Sequence, residues 1–138
     1  MQSSDHQPSL IRLTKYEALG NDYLVWDQPA SIERLARLAP QICDRHLGIG
    51  SDGILAFDPE TLSVRVFNPD GSEAEKSGNG LRIAACHAVL RHGAGGKFEL
   101  RTGERANPVR VVEASGDLVM AGPAQRVYRA DVELDDFD

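Results

Sequence analysis

The sequence has few of the features that mark nucleic-acid-binding, membrane-spanning or exported proteins. Aromatic residues make up 6% of the 138 residues, the formal net charge is −6, and no block of lysine and arginine is present. We therefore expect no nucleic-acid partner. The apolar runs are far too short to cross a bilayer, and residues 1–8 lack the apolar region of a signal peptide. We expect no membrane partner and interpret the protein as cytoplasmic.

Cysteine is also scarce, since Cys43 and Cys86 are the only two in the chain. Both fall in apolar helical patterns, where reduced core thiols are more common than a disulfide. A zinc site of Cys43, His46, Cys86 and His87 is disfavoured, because neighbours on a helix such as Cys86 and His87 point about 100° apart. We expect no metal site and no cofactor.

The rest of the composition is that of an ordinary globular protein. The hydrophobic fraction is 41%, and a chain of this length can form one core unaided. We expect residues 1–10 to be a disordered leader, residues 11–134 a single domain, and residues 135–138 an acidic tail.

The first third of the chain predicts a β-hairpin and then a helix. Two short strands, 11–16 and 23–26, flank a turn at residues 19–22, where Gly and Asn tolerate positive φ. Ser31 is a suitable N-cap for an amphipathic helix, and Pro40 is expected to bend or restart that helix.

The strongest helix signal lies at residues 81–92, which are apolar nearly all round and end at Gly93. Alternation and turn residues predict strands on both sides of it: 54–57, 63–68, 97–101, 109–113, 118–121 and 126–134. The predicted fold class is α+β, with a curved, mainly antiparallel sheet of about seven or eight strands wrapped round this central buried helix.

Residues 48–53 match the G-x-G-x-x-G pattern letter for letter. A dinucleotide-binding motif needs a strand before it and a helix after it. Here a helical segment comes first and a strand follows, so we interpret these residues as a turn entering a strand.

The turn from Ser77 to Gly80 lies directly before the buried helix and suggests an anion site. Free N–H groups at a helix N-terminus attract anions, and Gly78 and Gly80 let a ligand approach the backbone. A bound carboxylate, and a carbanion developing beside it, would be stabilised there. The alternative is a plain helix cap, with Ser77 or Asn79 as the N-cap.

Three asparagines, Asn21, Asn68 and Asn79, each sit in a tight turn beside glycine or proline. Together their amides could contact the polar groups of one small ligand, whereas each alone is an ordinary turn residue.

Four segments, in order, resemble the diaminopimelate epimerase family, and a fifth resembles the family's closing C-terminal strand. They are YEALGNDY at 16–23, DRHLGIGSDG at 44–53, FNPDGSEAE at 67–75, SGNGLR at 77–82, and VMAGPA at 119–124 followed by Val127 and Tyr128.

This resemblance implies a two-domain isomerase that converts LL- to meso-diaminopimelate without pyridoxal phosphate or metal, using two facing cysteines. By motif, Asn21 and Asn68 would hold the substrate. Gly78, Asn79 and Gly80 would offer N–H groups to its α-carboxylate. Ser77 would occupy the position of the first catalytic cysteine.

Two departures leave the function open. The family's middle domain is absent, with the join expected at residues 93–103, and serine is a far weaker acid than the thiol it replaces. One hypothesis is an isomerase whose site forms between two copies in a homodimer. The others are a binding module for an amino-acid carboxylate that has lost its chemistry, and an excised domain with serine introduced at position 77.

Overall fold

The structure, a computed structural model, describes residues 10–75, 77–112, 117–119 and 125–133. Within these residues the chain forms nine strands and two helices. In chain order they are β1 (Leu10–Ala18), β2 (Asn21–Trp26), α1 (Ile32–Ile42), β3 (Ile54–Asp58), β4 (Ser63–Phe67), β5 (Glu73–Ala74), α2 (Gly78–His92), β6 (Lys97–Thr102), β7 (Arg105–Val112), β8 (Asp117–Val119) and β9 (Gln125–Glu133).

The strands form one curved sheet in the order β8-β7-β6-β4-β3-β2-β1-β9, with β5 paired beside β4. Only the β2–β3 and β4–β6 pairs are parallel, so the predicted mainly antiparallel sheet is confirmed. The β4–β6 junction rests on a single residue pair, Ser63 with Arg101, supported by a hydrogen bond from Arg101 N to Leu62 O. The sheet therefore narrows at this point.

The two helices cover opposite faces of the sheet. In β2, Tyr23 and Val25 pack into the cluster that holds α2, whereas Leu24 and Trp26 pack into the cluster that holds α1. This follows from the two-residue period of a strand, which sends successive side chains to opposite faces.

Helix α2 is central, as the sequence predicted. It buries apolar side chains around most of its circumference. It also lies close to strands at both ends of the sheet, including β8 and β9. No helix in the described parts of the chain is long and apolar enough to cross a membrane.

The β1–β2 hairpin is confirmed, but its turn is shorter than expected. Ala18 pairs with Asn21, so only Leu19 and Gly20 lie in the turn, with φ of 51° and 92°. Asn21 and Asp22 belong to β2 instead. From the start of β2, Asn21 contacts Asn79 and Asp52, and Asp22 contacts Lys15 and Arg45.

Helix α1 begins at the expected cap, where Ser31 Oγ accepts from Arg34 N, and it continues through Pro40. The expected restart was therefore wrong. Pro40 has no N–H, so the Ala36 carbonyl lacks its helical donor. Gly71 lies against that carbonyl, and a Cβ added at Gly71 would sit 2.5 Å from the Ala36 oxygen.

Helix α2 begins at Gly78, three residues earlier than predicted, because Ser77 acts as the N-cap. Gly93 ends it in the left-handed conformation, with φ of 70°, as its sequence position indicated. All the predicted strands form, with ends that shift where the structure describes them, and the short β5 was missed. Predicted strand positions 113, 120, 121 and 134 lie outside the described residues. The proposed leader and acidic tail lie outside the described residues except Leu10, the first residue of β1.

Candidate functional site

The first turn of α2 has a serine N-cap and two backbone N–H groups without an acceptor in the described residues. Ser77 Oγ accepts a hydrogen bond from Gly80 N at 2.9 Å and lies 3.3 Å from the Tyr23 hydroxyl. The N–H groups of Gly78 and Asn79 have no acceptor among the described residues. Gly78 is exposed, with open space where a Cβ would be. The first turn therefore presents two unpaired donors to solvent.

Gly80 is needed for the cap itself. A Cβ at this position would lie 3.0 Å from Ser77 Oγ and 3.4 Å from a Val66 methyl group. Its N–H is already bonded to Ser77. The family resemblance assigned three N–H groups to a carboxylate. Two of them are unpaired in the described residues, and the third, that of Gly80, is bonded to Ser77 instead.

The side chains of Asn21 and Asn79 are hydrogen-bonded to each other at the first turn of α2. The Asn79 side-chain amide donates to Asn21 Oδ1, and Arg82 Nη1 donates to Asn79 Oδ1. Asn21 in turn donates to Asp52 Oδ2 at 3.2 Å. The start of β2, the loop before β3 and the first turn of α2 are thereby joined by one chain of hydrogen bonds.

Asn68 is not part of this chain. Its amide donates to Ser72 Oγ at 3.1 Å and its backbone N–H to Ser72 O at 2.7 Å, both within its own turn. No hydrogen bond in the described residues joins Asn68 to Asn21 or Asn79.

Next to Asn21, the charged residues Lys15, Asp22, Arg45 and Asp52 form a network of ion pairs, which the sequence did not predict. Asp22 forms 2.7 Å ion pairs with both Lys15 and Arg45, and Arg45 also contacts Asp52 at 3.0 Å. Burial opposes ionisation of Asp22, but hydrogen bonds from Arg45 and Lys15 outweigh it and hold the pKa of Asp22 well below its usual range. The network fixes the loop that carries Asp52.

Ser77 also lines a cleft of about 870 Å³ between β4, β5 and the β6–β7 hairpin. Its polar lining includes Arg65 and Glu73, which pair at 2.6 Å, with Arg105 and Asn107 on the hairpin side. Asn21, Asn68 and the glycines of the first turn do not line this cleft. Ser77 therefore sits between the cleft and the asparagine pair.

The glycine-rich loop at residues 48–53 caps α1 and is followed by β3, which supports its interpretation as a turn. The N–H groups of Ile49 and Gly50 both donate to Ile42 O, at 2.9 and 3.0 Å. A Cβ at Gly48 would lie 2.0 Å from the Gln41 carbonyl oxygen. Gly48 is therefore required for packing on the helix end, and the donors of Ile49 and Gly50 are used there.

Cys43 and Cys86 are both buried, and they form no disulfide within the described residues. Burial raises the pKa of the Cys43 thiol. Cys43, His46, Cys86 and His87 do not assemble into one group. Within the described residues the metal-ligand types gather only at Asp27, His87 and His92. Burial lowers the pKa of His87.

The fold resembles that of solved proteins with low sequence identity to this chain. A phenazine biosynthesis protein of the PhzF family from Bacillus anthracis aligns with a TM-score of 0.56 and 19% identity, over 80% of this chain and 39% of that one. A predicted epimerase from Pseudomonas aeruginosa aligns with a TM-score of 0.58 and 16% identity, over 78% and 40%. The chain therefore shares the fold of these solved proteins.

Sequence comparison makes this more specific. The diaminopimelate epimerase family profile matches residues 13–127, and the chain belongs to that family. Diaminopimelate epimerase 2 from Nostoc sp. is 53% identical over 78 residues, which cover 53% of this chain and 27% of the relative. The diaminopimelate epimerase of Synechococcus elongatus is 33% identical over 150 residues, covering 91% and 53%. The chain thus spans about half or less of the length of these relatives.

Proposed function

We propose that this chain is a cofactor-independent isomerase of the diaminopimelate epimerase type, which interconverts LL- and meso-diaminopimelate at a site completed by a second copy. The family match supports the reaction class. Such an enzyme would serve lysine and peptidoglycan precursor synthesis and would act in the cytoplasm.

One observation carries the proposal: the unpaired N–H groups of Gly78 and Asn79 at the N-terminus of α2. Two adjacent unpaired donors and the positive end of the helix favour a carboxylate. With the α-carboxylate bound there, the α-carbon lies beside the first turn, close to Ser77. Negative charge that develops on the carboxylate as the α-proton leaves would be stabilised by the same donors.

The asparagines have a positioning role in this scheme. Asn79 is fixed by Asn21 and Arg82, so its backbone N–H is held in a defined direction. We propose that Asn21 and Asn68 contact the substrate's polar groups. Asn68 would have to exchange its bond to Ser72 for one to the ligand.

Isomerisation needs two groups on opposite faces of the α-carbon, one to accept the proton and one to supply another. This chain offers one Ser77. A twofold dimer places the same surface of each copy against the other, which would bring a second Ser77 to the opposite face. The open cleft beside Ser77 supports a site that is closed by another chain.

A second candidate function is a carboxylate-binding module without chemistry. The contacts of Ser77 favour it: in the described residues, Oγ bonds to Gly80 N and the Tyr23 hydroxyl, and to no carboxylate, imidazole or amine. A serine without an adjacent base is a poor proton acceptor. We therefore expect isomerisation by the natural chain to be slow.

The two candidates are separated by following α-hydrogen exchange of LL- and meso-diaminopimelate in deuterated water. The isomerase predicts enzyme-dependent exchange that rises at least about tenfold in Ser77→Cys, because a thiol ionises far more readily, and falls to background in Ser77→Ala. Light scattering on the same samples should give the mass of a dimer. Binding without exchange in both the natural chain and Ser77→Cys would favour the module. A monomer at every concentration would contradict the shared site.

A further inference from the structure

A cluster of two histidines and one carboxylate lies at the far end of α2 from Ser77. Asp27 directly follows β2, His92 is the last residue of α2, and His87 is five residues earlier. At 1.5 Å per residue, His87 lies about 15 Å along the helix from the Ser77 cap. The cluster is therefore separate from the proposed substrate site.

The two imidazole rings direct their Nε2 atoms at the same carboxylate oxygen. His87 Nε2 lies 2.6 Å from Asp27 Oδ2, and His92 Nε2 lies 2.9 Å from the same oxygen. All three atoms are within 4.8 Å of one another. Ligands at about 2.0–2.2 Å from Zn²⁺ stand roughly 3–3.5 Å apart, so side-chain shifts of about 1 Å would admit an ion.

Two of the three side chains, His87 and Asp27, have a further hydrogen-bond partner of the kind that metal ligands commonly have. His87 Nδ1 is hydrogen-bonded to the Tyr16 hydroxyl at 2.7 Å in the core. The Asp27 carboxylate receives a hydrogen bond on its other oxygen from Gln28. Ligating histidines and carboxylates are oriented by such outer hydrogen bonds.

Packing holds the imidazole rings of His87 and His92 in place and leaves the cluster accessible from solvent on one side. Phe57 contacts both imidazoles, with ring centroids 5.6 Å from His87 and 5.5 Å from His92. The His87 side chain is 1% exposed, whereas that of His92 is 27% exposed. An ion can reach the cluster from the His92 side, where water can complete its coordination.

We infer that Asp27, His87 and His92 bind one divalent transition-metal ion of the zinc class, with water as the fourth ligand. Two imidazole nitrogens and one carboxylate oxygen are ligands that this class of ion accepts. The bound ion would tie the end of β2 to the end of α2. It plays no part in the proposed isomerisation.

The alternative is a hydrogen-bonded cluster without metal, and the two differ in the His87 tautomer. Without an ion, His87 Nε2–H donates to Asp27 and Nδ1 accepts from the Tyr16 hydroxyl. With an ion on Nε2, the proton resides on Nδ1 and is donated to the Tyr16 oxygen. Metal binding thus reverses one buried hydrogen bond.

The test is calorimetric titration of the chelator-treated full chain with Zn²⁺. We expect one ion per chain and a rise in melting temperature. Asp27→Asn and His92→Gln should each weaken binding by about 100-fold or more. Tyr16→Phe, which removes no ligand, should weaken it about 10–100-fold. His46→Gln is the matched control, because His46 is exposed and outside the cluster, and it should bind as the natural chain does.

Nitrogen-15 NMR of the histidine rings provides a second readout that does not depend on variants. Saturating Zn²⁺ should move the His87 proton from Nε2 to Nδ1. The proposal is overturned if Zn²⁺ binds folded His92→Gln as tightly as the natural chain, or if His87 keeps its Nε2 proton at saturation.

Discussion

The side-chain amide of Asn79 donates to Oδ1 of Asn21, which lies 58 positions earlier in the chain. This bond joins the first turn of α2 to the start of β2. Through Asp52 it continues to the loop before β3. The direction in which the α2 N-terminus points is therefore set by residues distant in sequence.

Coupling between Asn21 and Asn79 can be measured by a double-mutant cycle. Asn21→Ala and Asn79→Ala should be non-additive in unfolding free energy, with a coupling of about 0.5–1.5 kcal/mol, because they share one half-buried hydrogen bond. Urea unfolding of the single and double variants gives this value. Asn68→Ala with Asn79→Ala is the control pair and should be additive within about 0.5 kcal/mol. Additivity of the first pair would show that the bond is not formed in solution.

Aspartate at the two helix caps should separate stability from ligand binding. Ser31→Asp and Ser77→Asp both keep a good N-cap, so each variant should retain the natural stability within about 0.5 kcal/mol. Only Ser77→Asp places a negative charge beside the proposed carboxylate site. Its affinity for meso-diaminopimelate should fall by about tenfold or more, whereas Ser31→Asp should bind as before. Equal affinities in calorimetry would place the ligand elsewhere.

The turn that carries Asn68 depends on Gly71. Its φ is 90°, and an added Cβ would meet the Ala36 carbonyl at 2.5 Å. Gly71→Ala should therefore destabilise the protein by about 2–4 kcal/mol, from backbone strain and overpacking together. Gly95→Ala is the control, because its nearest neighbour would be 3.9 Å away, and it should change stability by less than about 0.5 kcal/mol. Similar urea midpoints for the two variants would rule out the close contact with α1.

The free energy of unfolding should fall at low pH as Asp22 becomes protonated. Its pKa is held below that of the unfolded chain by Arg45 and Lys15, so its contribution is full above pH of about 4 and is lost as pH falls through the folded pKa. The natural chain should lose stability steadily between about pH 4 and pH 2. In Asp22→Asn the slope should be shallower, and urea midpoints across this range measure it. An unchanged slope would mean that the ion pairs do not persist in solution.

Features that depend on short-range preferences could be predicted from the sequence. Ser31 and Ser77 as caps, Gly93 as a terminator and the β1–β2 hairpin follow from short-range preferences. Pro40 is different, because the helix continues through it and Gly71 lies against the Ala36 carbonyl that proline leaves without a donor. That approach is a tertiary contact which no local pattern encodes.

The same limit applies to the site. The donors at Gly78 and Asn79 follow from their place before an apolar helix. Asp22, Arg45 and Asp52, and the meeting of Asp27 with His87, depend on which strands pair. The motif resemblance marked the loop of Asp52 but gave no partner for it, and the pairing of β2 with β3 is what brings Asp52 to Asn21.

The central claim is that the N-terminus of α2 binds an amino-acid carboxylate. Amide NMR of the full chain, titrated with meso-diaminopimelate, tests it directly. The account predicts saturable shifts of the Gly78 and Asn79 amides, with no comparable shift at Ile32 and Glu33, which open α1 but carry an acidic residue in the first turn. Binding that leaves the Gly78 and Asn79 amides unmoved, or that shifts both helix N-termini alike, would contradict it.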